Sequence, residues 1–393
     1  MKVCYFGIYD PLYARNRILI DGLRQNCIEI IKCDSRRRGI LKYIDLAIKH
    51  WRIRKEYDAM IIGFPGYQAM IVARFLTRKP IIFDCFTSLH DSMVSDRSKV
   101  SPRSIKAIYF WFLDWLSMQI ADVILFDTQA HIDYASATFG IKKRKFKRIW
   151  IGANTDIFST HYFVGNEESV VENSAQGLAL RRSESTGKGL TLRQEFSTAA
   201  HSEESKDFSV LFFGTFIPLQ GIEYIIEAAK RLENEAIHFA VIGNGQMKKK
   251  ILWLAGALAV RNVLFIDFLS QEALVKKIAE ADVCLGIFGN TLKTQRVIPN
   301  KVYECLAMKK PVITADTPAA RELLSDRDVC FVKTADSASL AEGILRIKND
   351  KNTMENIAQN GYDTFIKNAT PNILGRELKG IVEELSYNMK HRT

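Results

Sequence analysis

Short, β-branched apolar runs alternate with longer helical patterns along most of this chain, and that alternation restricts the possible folds more than any other feature. In the first half the runs are Lys2–Phe6, Ala59–Ile62, Pro80–Asp84, Asp122–Phe126 and Phe146–Ile151, with helical periods such as Tyr67–Leu76 and Ser104–Ile120 between them. The second half repeats the scheme. Strands are expected at Phe208–Phe213, His238–Ile242, Asn262–Ile266, Asp282–Leu285, Pro311–Thr314 and Val329–Val332. Helices are expected at Ile222–Leu232, Gln246–Leu258, Gln271–Ala281, Asn300–Met308 and Leu340–Lys348. Continuous apolar strands separated by helices belong to parallel sheets covered on both faces. The chain therefore reads as two α/β units of similar size, at 1–158 and 208–370. Between them, 159–207 is rich in Ser, Thr, Glu and Gly with no persistent period, which reads as a linker with an inserted loop. A final helical stretch, 371–393, has two places open to it, packed on the second unit or crossing back to the first.

The seven cysteines are odd in number and show no CxxC spacing. They read as reduced core residues of a cytoplasmic protein, with no structural metal. The apolar run at the N-terminus is too short for a signal peptide. The most apolar stretch, Ile105–Phe126, is interrupted by Lys106, Asp114, Gln119 and Asp122, so no membrane crossing is expected.

Charge is unevenly placed. Lys and Arg number 55 against 44 Asp and Glu, a net +11. Residues 31–55 carry +7 and residues 142–148 carry +6, so the remainder is close to neutral at −2 and the surplus is confined to the first domain. Ile40, Leu41, Ile44, Ala47, Ile48 and Trp51 form a stripe at helical spacing beside Lys42, Lys49, Arg52 and Lys55. A basic amphipathic helix of this kind can lie on an anionic membrane surface; the same stripe would serve equally as a core-facing side with a solvated back. No zinc finger or RNA-recognition aromatic pair accompanies the charge, which argues against nucleic acid as the partner.

Five segments could carry chemistry. In "FFGTFIPLQGIEYIIEAA" a strand ends at Gly214 and a helix opens after Gly221, with Thr215 and Gln220 between. Glycines let a backbone approach a ligand, and the free N–H groups of a helix start favour phosphate, although the pattern also suits an ordinary βα turn. "AVIGNGQ" places Gly243 and Gly245 at the next such turn but lacks the third glycine of a dinucleotide fingerprint. In "RVIPNKVYECLAMKKPVIT" Asn300 is a candidate N-cap, Lys301 lies in the first turn and Glu304 one turn deeper. A cation at a helix start suits a phosphate, and a carboxylate beyond it suits a pair of sugar hydroxyls. "FDCFTSLHDSMVSDR" clusters His90 and Asp91 past a strand end, a pairing that can move a proton or position a hydroxyl. "FGIYDPLYARNR" offers Gly7, Tyr13, Arg15 and Asn16 on the same edge, toward an acceptor. The DxD spacing of Asp326 and Asp328 has no other acids around it and reads as a solvated turn.

Together, "FGTFIPLQGIEYIIEAAK", "VIGNGQ", "IAEADVCLGIFG" and "PNKVYECLAMKKPVITADTPAARELL" resemble the group 1 glycosyltransferases, a retaining family of GT-B architecture. The resemblance covers most of 208–332, with weaker echoes at the first strand and at "IGANTDIF". It implies two Rossmann-like domains facing across a cleft and a nucleoside-diphosphate sugar held mainly by the second. The acceptor, lipid-linked or glycan, would be held by the first, and no cofactor or metal is implied. Donor contacts would fall at Gly214, Thr215, Gln220, Gly221, Gly243, Gly245, Phe288, Arg296, Asn300, Lys301 and Glu304. Catalytic roles would fall at His90, Asp91 and Glu304, with Glu304 in the place of the family's second acid, which holds the nucleotide ribose. Three departures stand out. Thr215 and Gln220 replace basic residues of the phosphate loop, Arg296 occupies the first acid's position, and His90 comes several residues late after its strand. A nucleotide-sugar epimerase and a non-catalytic binding relative are the alternatives. The expected place of work is cytoplasmic, on the inner face of a membrane.

Overall fold

The computed structural model describes residues 1–160 and 207–391, so the expected 159–207 linker falls almost entirely outside the described residues. The first domain has strands β1 (Lys2–Gly7), β2 (Glu29–Asp34), β3 (Ala59–Ile62), β4 (Ile81–Phe86), β5 (Val123–Phe126) and β6 (Phe146–Arg148). Its helices are α1 (Ala14–Gln25), α2 (Leu41–Ile53), α3 (Tyr67–Leu76), α4 (Ile105–Ile120) and α5 (Gln129–Phe139). All strands pair in parallel, in the order β2-β1-β3-β4-β5-β6.

The second domain comprises β7 (Phe208–Phe213), β8 (Ile237–Ile242), β9 (Val263–Ile266), β10 (Val283–Leu285), β11 (Val312–Ala315) and β12 (Cys330–Val332). Its helices are α6 (Ile222–Arg231), α7 (Lys248–Ala257), α8 (Gln271–Glu280), α9 (Asn300–Ala307), α10 (Pro318–Arg321), α11 (Ser337–Asn349) and α12 (Lys351–Asn368). The sheet order β12-β11-β10-β7-β8-β9 is again fully parallel and is the doubly wound dinucleotide-fold order read from its far edge. Ligands of such sheets bind at the carboxyl edge where the strand order reverses. Here those places are the ends of β1 and β3 in the first domain and of β7 and β10 in the second.

The central strands are apolar on both sides because both faces are covered; β3, β5 and β11 are buried at every residue. The sequence pattern misses β2, "EIIKCD", and the reason is its position: as an edge strand it is half-exposed and carries charges. Six of the seven cysteines are buried and Cys27 is exposed. Among the described residues no helix is long and apolar enough to cross a membrane.

The last helix, α13 (Pro371–Lys390), packs on α1 of the first domain. The contact is made backbone to backbone: a Cβ on Gly375 would lie 2.0 Å from the Gly22 carbonyl, and one on Gly22 would lie 2.2 Å from that of Pro371. Glycine is required by that close approach. Gly375→Val forces the two helices apart, an overpacking cost of about 1–3 kcal/mol. The expected outcome is a lower melting temperature together with proteolytic release of the C-terminal helix, read by limited proteolysis and mass spectrometry.

Candidate functional site

The carboxyl edges of the two sheets meet at a cavity of about 610 Å³ lined from both sides. Residues after β1, β3 and β4 supply Tyr13, Phe64 and Phe86, while Asp127 and His131 come from the β5–α5 turn. The second domain supplies Gly214, Thr215 and Gln220 after β7, and Asn300, Lys301 and Glu304 from the start of α9.

The second-domain wall is built around one turn of helix. Pro299, with extended backbone, is the N-cap of α9 and makes no side-chain cap, so Asn300 is the first helical residue and not the cap that its type suggests. Lys301 is buried, its ammonium lies 3.6 Å from the centre of the Phe212 ring, and Nζ has no hydrogen-bond partner. Burial pushes this ammonium well below the usual lysine range. Glu304, on the same face one turn on, is pushed up to about 7 by burial, with Lys301 opposing. Gln220 Oε1 is likewise buried without a partner. Gly214, at φ +150°, leaves open the space beside these groups: a Cβ there would come 3.5 Å from Lys301 Nζ and 3.7 Å from Gln220 Oε1.

The opposite wall holds a pair that the sequence motifs did not single out. His131 Nδ1 is 2.7 Å from Asp127 Oδ1, both residues are buried, and Nε2 of the ring is left without a partner. The signal was present as Asp–Thr–Gln–Ala–His after β5. The i,i+4 spacing places Asp127 at the strand end and His131 in the first turn of α5, whose N-cap is Thr128.

Several expected site residues lie elsewhere. Arg15 is fully buried and paired with Asp84 at 3.0 Å, and it donates to the carbonyls of Ile149 and Trp150. Asn16 is buried too, accepting from Tyr5 and from the Phe64 N–H. Both hold the first-domain loops together and do not line the cavity; of the acceptor-side set only Tyr13 does, Gly7 packing beside Ala69. Gly221, Gly243 and Gly245 are demanded by packing. A Cβ on Gly221 would lie 2.4 Å from Gly289 N, and one on Gly243 would lie 1.9 Å from the Gly214 carbonyl. Gly245 meets the Phe216 backbone in the same way, and Phe288 is a core side chain.

His90 and Asp91 are not among the residues that line the cavity. The His90 N–H donates to Asp114, and Asp91 is buried against Arg296 at 2.7 Å. Arg296 therefore spends its charge across the domain junction, with its guanidinium 3.8 Å from the centre of the Tyr134 ring and its carbonyl accepting from Thr128 Oγ1. Lys293 reaches across to Ser92 Oγ at 2.7 Å, and Glu322 accepts from the first two N–H groups of α5 at 2.6 and 2.7 Å. Asp326 is exposed and pairs with Arg321, as a solvated turn would; Asp328 is instead buried, accepting from the Ser325 N–H and hydroxyl and from Thr364 Oγ1.

Residues 193–364 match the family model of the glycosyl transferases group 1. The second domain belongs to this family. Two curated relatives of the group 1 domain are the alpha-D-kanosaminyltransferase of Streptomyces kanamyceticus and the putative colanic acid biosynthesis glycosyl transferase WcaI of Escherichia coli. The first is 24% identical over 45% of each chain; the second is 32% identical over 27% of this chain and 26% of its own. The matches thus span less than half the length of either relative. Among solved structures, Anabaena HepE in complex with UDP superposes with a TM-score of 0.66 at 15% identity, covering 98% of this chain and all of that one. Sucrose-phosphate synthase of Thermosynechococcus elongatus superposes with a TM-score of 0.68 at 12% identity over 98% and 99% of the two chains. The fold around the group 1 domain is GT-B.

Removing one partner of a buried ion pair strands the other in a poor solvent. Arg15→Leu leaves Asp84 uncompensated and should cost about 3–5 kcal/mol, measured by chemical denaturation. Arg15→Lys should recover only part of this, because three acceptors are spread over the planar guanidinium fork.

Proposed function

We propose that the chain is a glycosyltransferase that moves a sugar from a nucleoside diphosphate to a glycan or lipid-linked acceptor in the interdomain cleft, with retention of configuration. The observation that carries the reading is the set of buried polar atoms without partners around Gly214: Lys301 Nζ and Gln220 Oε1, with Glu304 one turn deeper. Buried polar atoms without partners are costly, and a bound ligand relieves the cost. Lys301 and the first N–H groups of α9 suit a diphosphate, and Glu304 suits the two hydroxyls of a ribose. Thr215 adds a hydroxyl donor, taking part of the role that a basic phosphate loop has elsewhere.

In the reaction, charge develops on the leaving diphosphate, and the preorganised Lys301 ammonium and helix start stabilise it there. The acceptor would enter past Tyr13, Phe64 and Phe86. His131, its Nδ1 held by Asp127, has Nε2 free to bond a hydroxyl of the transferred sugar or acceptor. Closure of the cleft would exclude water and limit donor hydrolysis. HepE was solved with UDP, which makes UDP the first nucleotide to try.

The test starts with thermal shift and calorimetry against UDP, GDP and ADP. A nucleotide at about 100 times its Kd should stabilise the protein by about 2.7 kcal/mol. No shift with any nucleotide or nucleotide sugar would favour a non-catalytic relative, and a free isomerised nucleotide sugar without transfer would favour an epimerase. Glu304→Gln should abolish nucleotide binding. The carboxylate, not the acid, accepts both ribose hydroxyls, so wild-type affinity should rise as pH increases through about 7. Because the native fold disfavours the charged form, Glu304→Gln should also raise the melting temperature above about pH 7, the gain fading toward the unfolded carboxyl value of about 4.3.

A further inference from the structure

The structure turns the α2 stripe outward. Leu46 and His50 are the buried residues of that helix, while Ile44, Ile48 and Trp51 face solvent. Helix α2 packs on α3 and α3 on α4, so the three form one layer over the same side of the sheet. The outer side of that layer continues the apolar surface through Phe75 of α3 and Ile108 and Phe112 of α4. These six side chains are between 48% and 87% exposed. Half of the twenty large apolar side chains exposed among the described residues belong to this layer or to Ile40 just before it. Such a concentration marks a contact surface.

Its charge identifies the partner. The three helices contain two carboxylates, Asp45 and Asp114. Asp114 is buried and bound by Ser88 Oγ and two backbone N–H groups, and Asp45 is paired with Lys49 at 3.0 Å. The outer face thus presents no free carboxylate from these helices, while Lys42, Arg52, Lys55 and Lys106 surround the apolar residues. The Arg54 guanidinium lies 3.7 Å from the centre of the Trp51 ring, an aromatic–cation pair with one apolar and one wet end. We infer that the α2–α3–α4 layer docks on an anionic lipid leaflet, inserting Ile44, Ile48, Trp51, Phe75, Ile108 and Phe112 to interfacial depth beneath a rim of cations. Apolar burial and attraction to anionic headgroups act together in such docking.

The layer borders the cleft. Tyr67, the first residue of α3, and Met93 and Arg97, in the segment leading to α4, line the cavity. Resting on the transfer reading above, the substrate class that follows is an acceptor whose glycan is carried by a membrane lipid and is presented to the cleft at the leaflet surface. The docking itself needs neither donor nor acceptor, so its test is separate.

The experiment is co-sedimentation of the full chain with phosphatidylcholine vesicles, with and without phosphatidylglycerol. Binding is expected with phosphatidylglycerol, and much weaker binding without it or at about 0.5 M salt. Lys42→Gln/Arg52→Gln/Lys55→Gln should lower the partition coefficient about 100-fold, taking about fivefold per charge. Ile108→Asp/Phe112→Asp should abolish insertion, read as lost quenching of tryptophan fluorescence by brominated lipid, with the Trp51 share taken from the difference between otherwise identical proteins with and without Trp51→Phe. Lys42 is partly exposed and the other substituted residues are exposed, and an unchanged melting temperature confirms that the variants fold. Absence of wild-type binding, or equal binding by both multiple variants, overturns the proposal. So does a dimer in solution that Ile108→Asp/Phe112→Asp converts to monomer, which would make the face an interface between copies of the chain.

Discussion

Burying charge is the constraint on which this architecture turns. The junction between the two sheets holds Arg15, Asp84, Asp91, Asp127, Lys293 and Lys301 nearly or wholly out of water, with Arg296 close to it. An ion in that position is tolerable only when it is paired and hydrogen-bonded. Most of them are: Arg15 with Asp84, Arg296 with Asp91, His131 with Asp127, Lys293 with Ser92. These contacts set how the domains meet, because two of the four cross from one sheet to the other. Of the groups left over, Lys301 Nζ, Gln220 Oε1, His131 Nε2, Asp96 Oδ1 and Arg97 Nε belong to residues that line a single cavity, while His90 Nδ1, Asp91 Oδ2 and Arg296 Nε belong to residues outside its lining. Paired charge builds the junction, and unpaired polarity marks where a ligand belongs.

The domain junction is also where helix ends are satisfied. Glu322 of the second domain accepts from the opening N–H groups of α5, which have no partner within the helix. The Thr128 hydroxyl takes the Arg296 carbonyl in return. These directional bonds add to an apolar seam in which Ile149, Trp150 and Ile151 share one buried cluster with Ile298, Val302 and Tyr303. The return of α13 to α1 is of a different character. It combines glycine-to-glycine backbone contact with the burial of Leu374, Leu378 and Val382 beside Ile18, Leu19 and Leu23.

How much was legible in the sequence follows from the range of each interaction. The strands and helices were readable because a parallel sheet buried on both faces leaves continuous apolar runs, as in β3 and β5; β2 was missed because an edge strand escapes that rule. Gly214, Gln220, Lys301 and Glu304 were readable because one turn and one helix start bring them together locally. Arg15, Asp91 and Arg296 were assigned to ligand contact because a charge in a loop looks available until its partner is known. Their partners lie 69 and 205 residues away in sequence, beyond any local pattern. The outward turn of the α2 stripe was equally hidden, since amphipathic spacing shows that a helix has two faces but not which one the sheet covers.

The substitution that looked most damaging for a group 1 domain takes on another sense in this light. An arginine where the family places an acid would put a second cation near the diphosphate if it pointed inward. It points across the junction instead, over Tyr134 and onto Asp91, and thereby neutralises the carboxylate that sequence alone suggested for proton transfer. With Asp91 spent, the buried Asp–His pair facing the cavity is Asp127 and His131. Asp127 and His131 share the cavity lining with Lys301 and Glu304, and Asp91 does not. The Arg296 pairing thus takes Asp91 out of the cavity lining and leaves Asp127 and His131 as the buried acid–imidazole pair that faces the second domain's Lys301 and Glu304 in that lining.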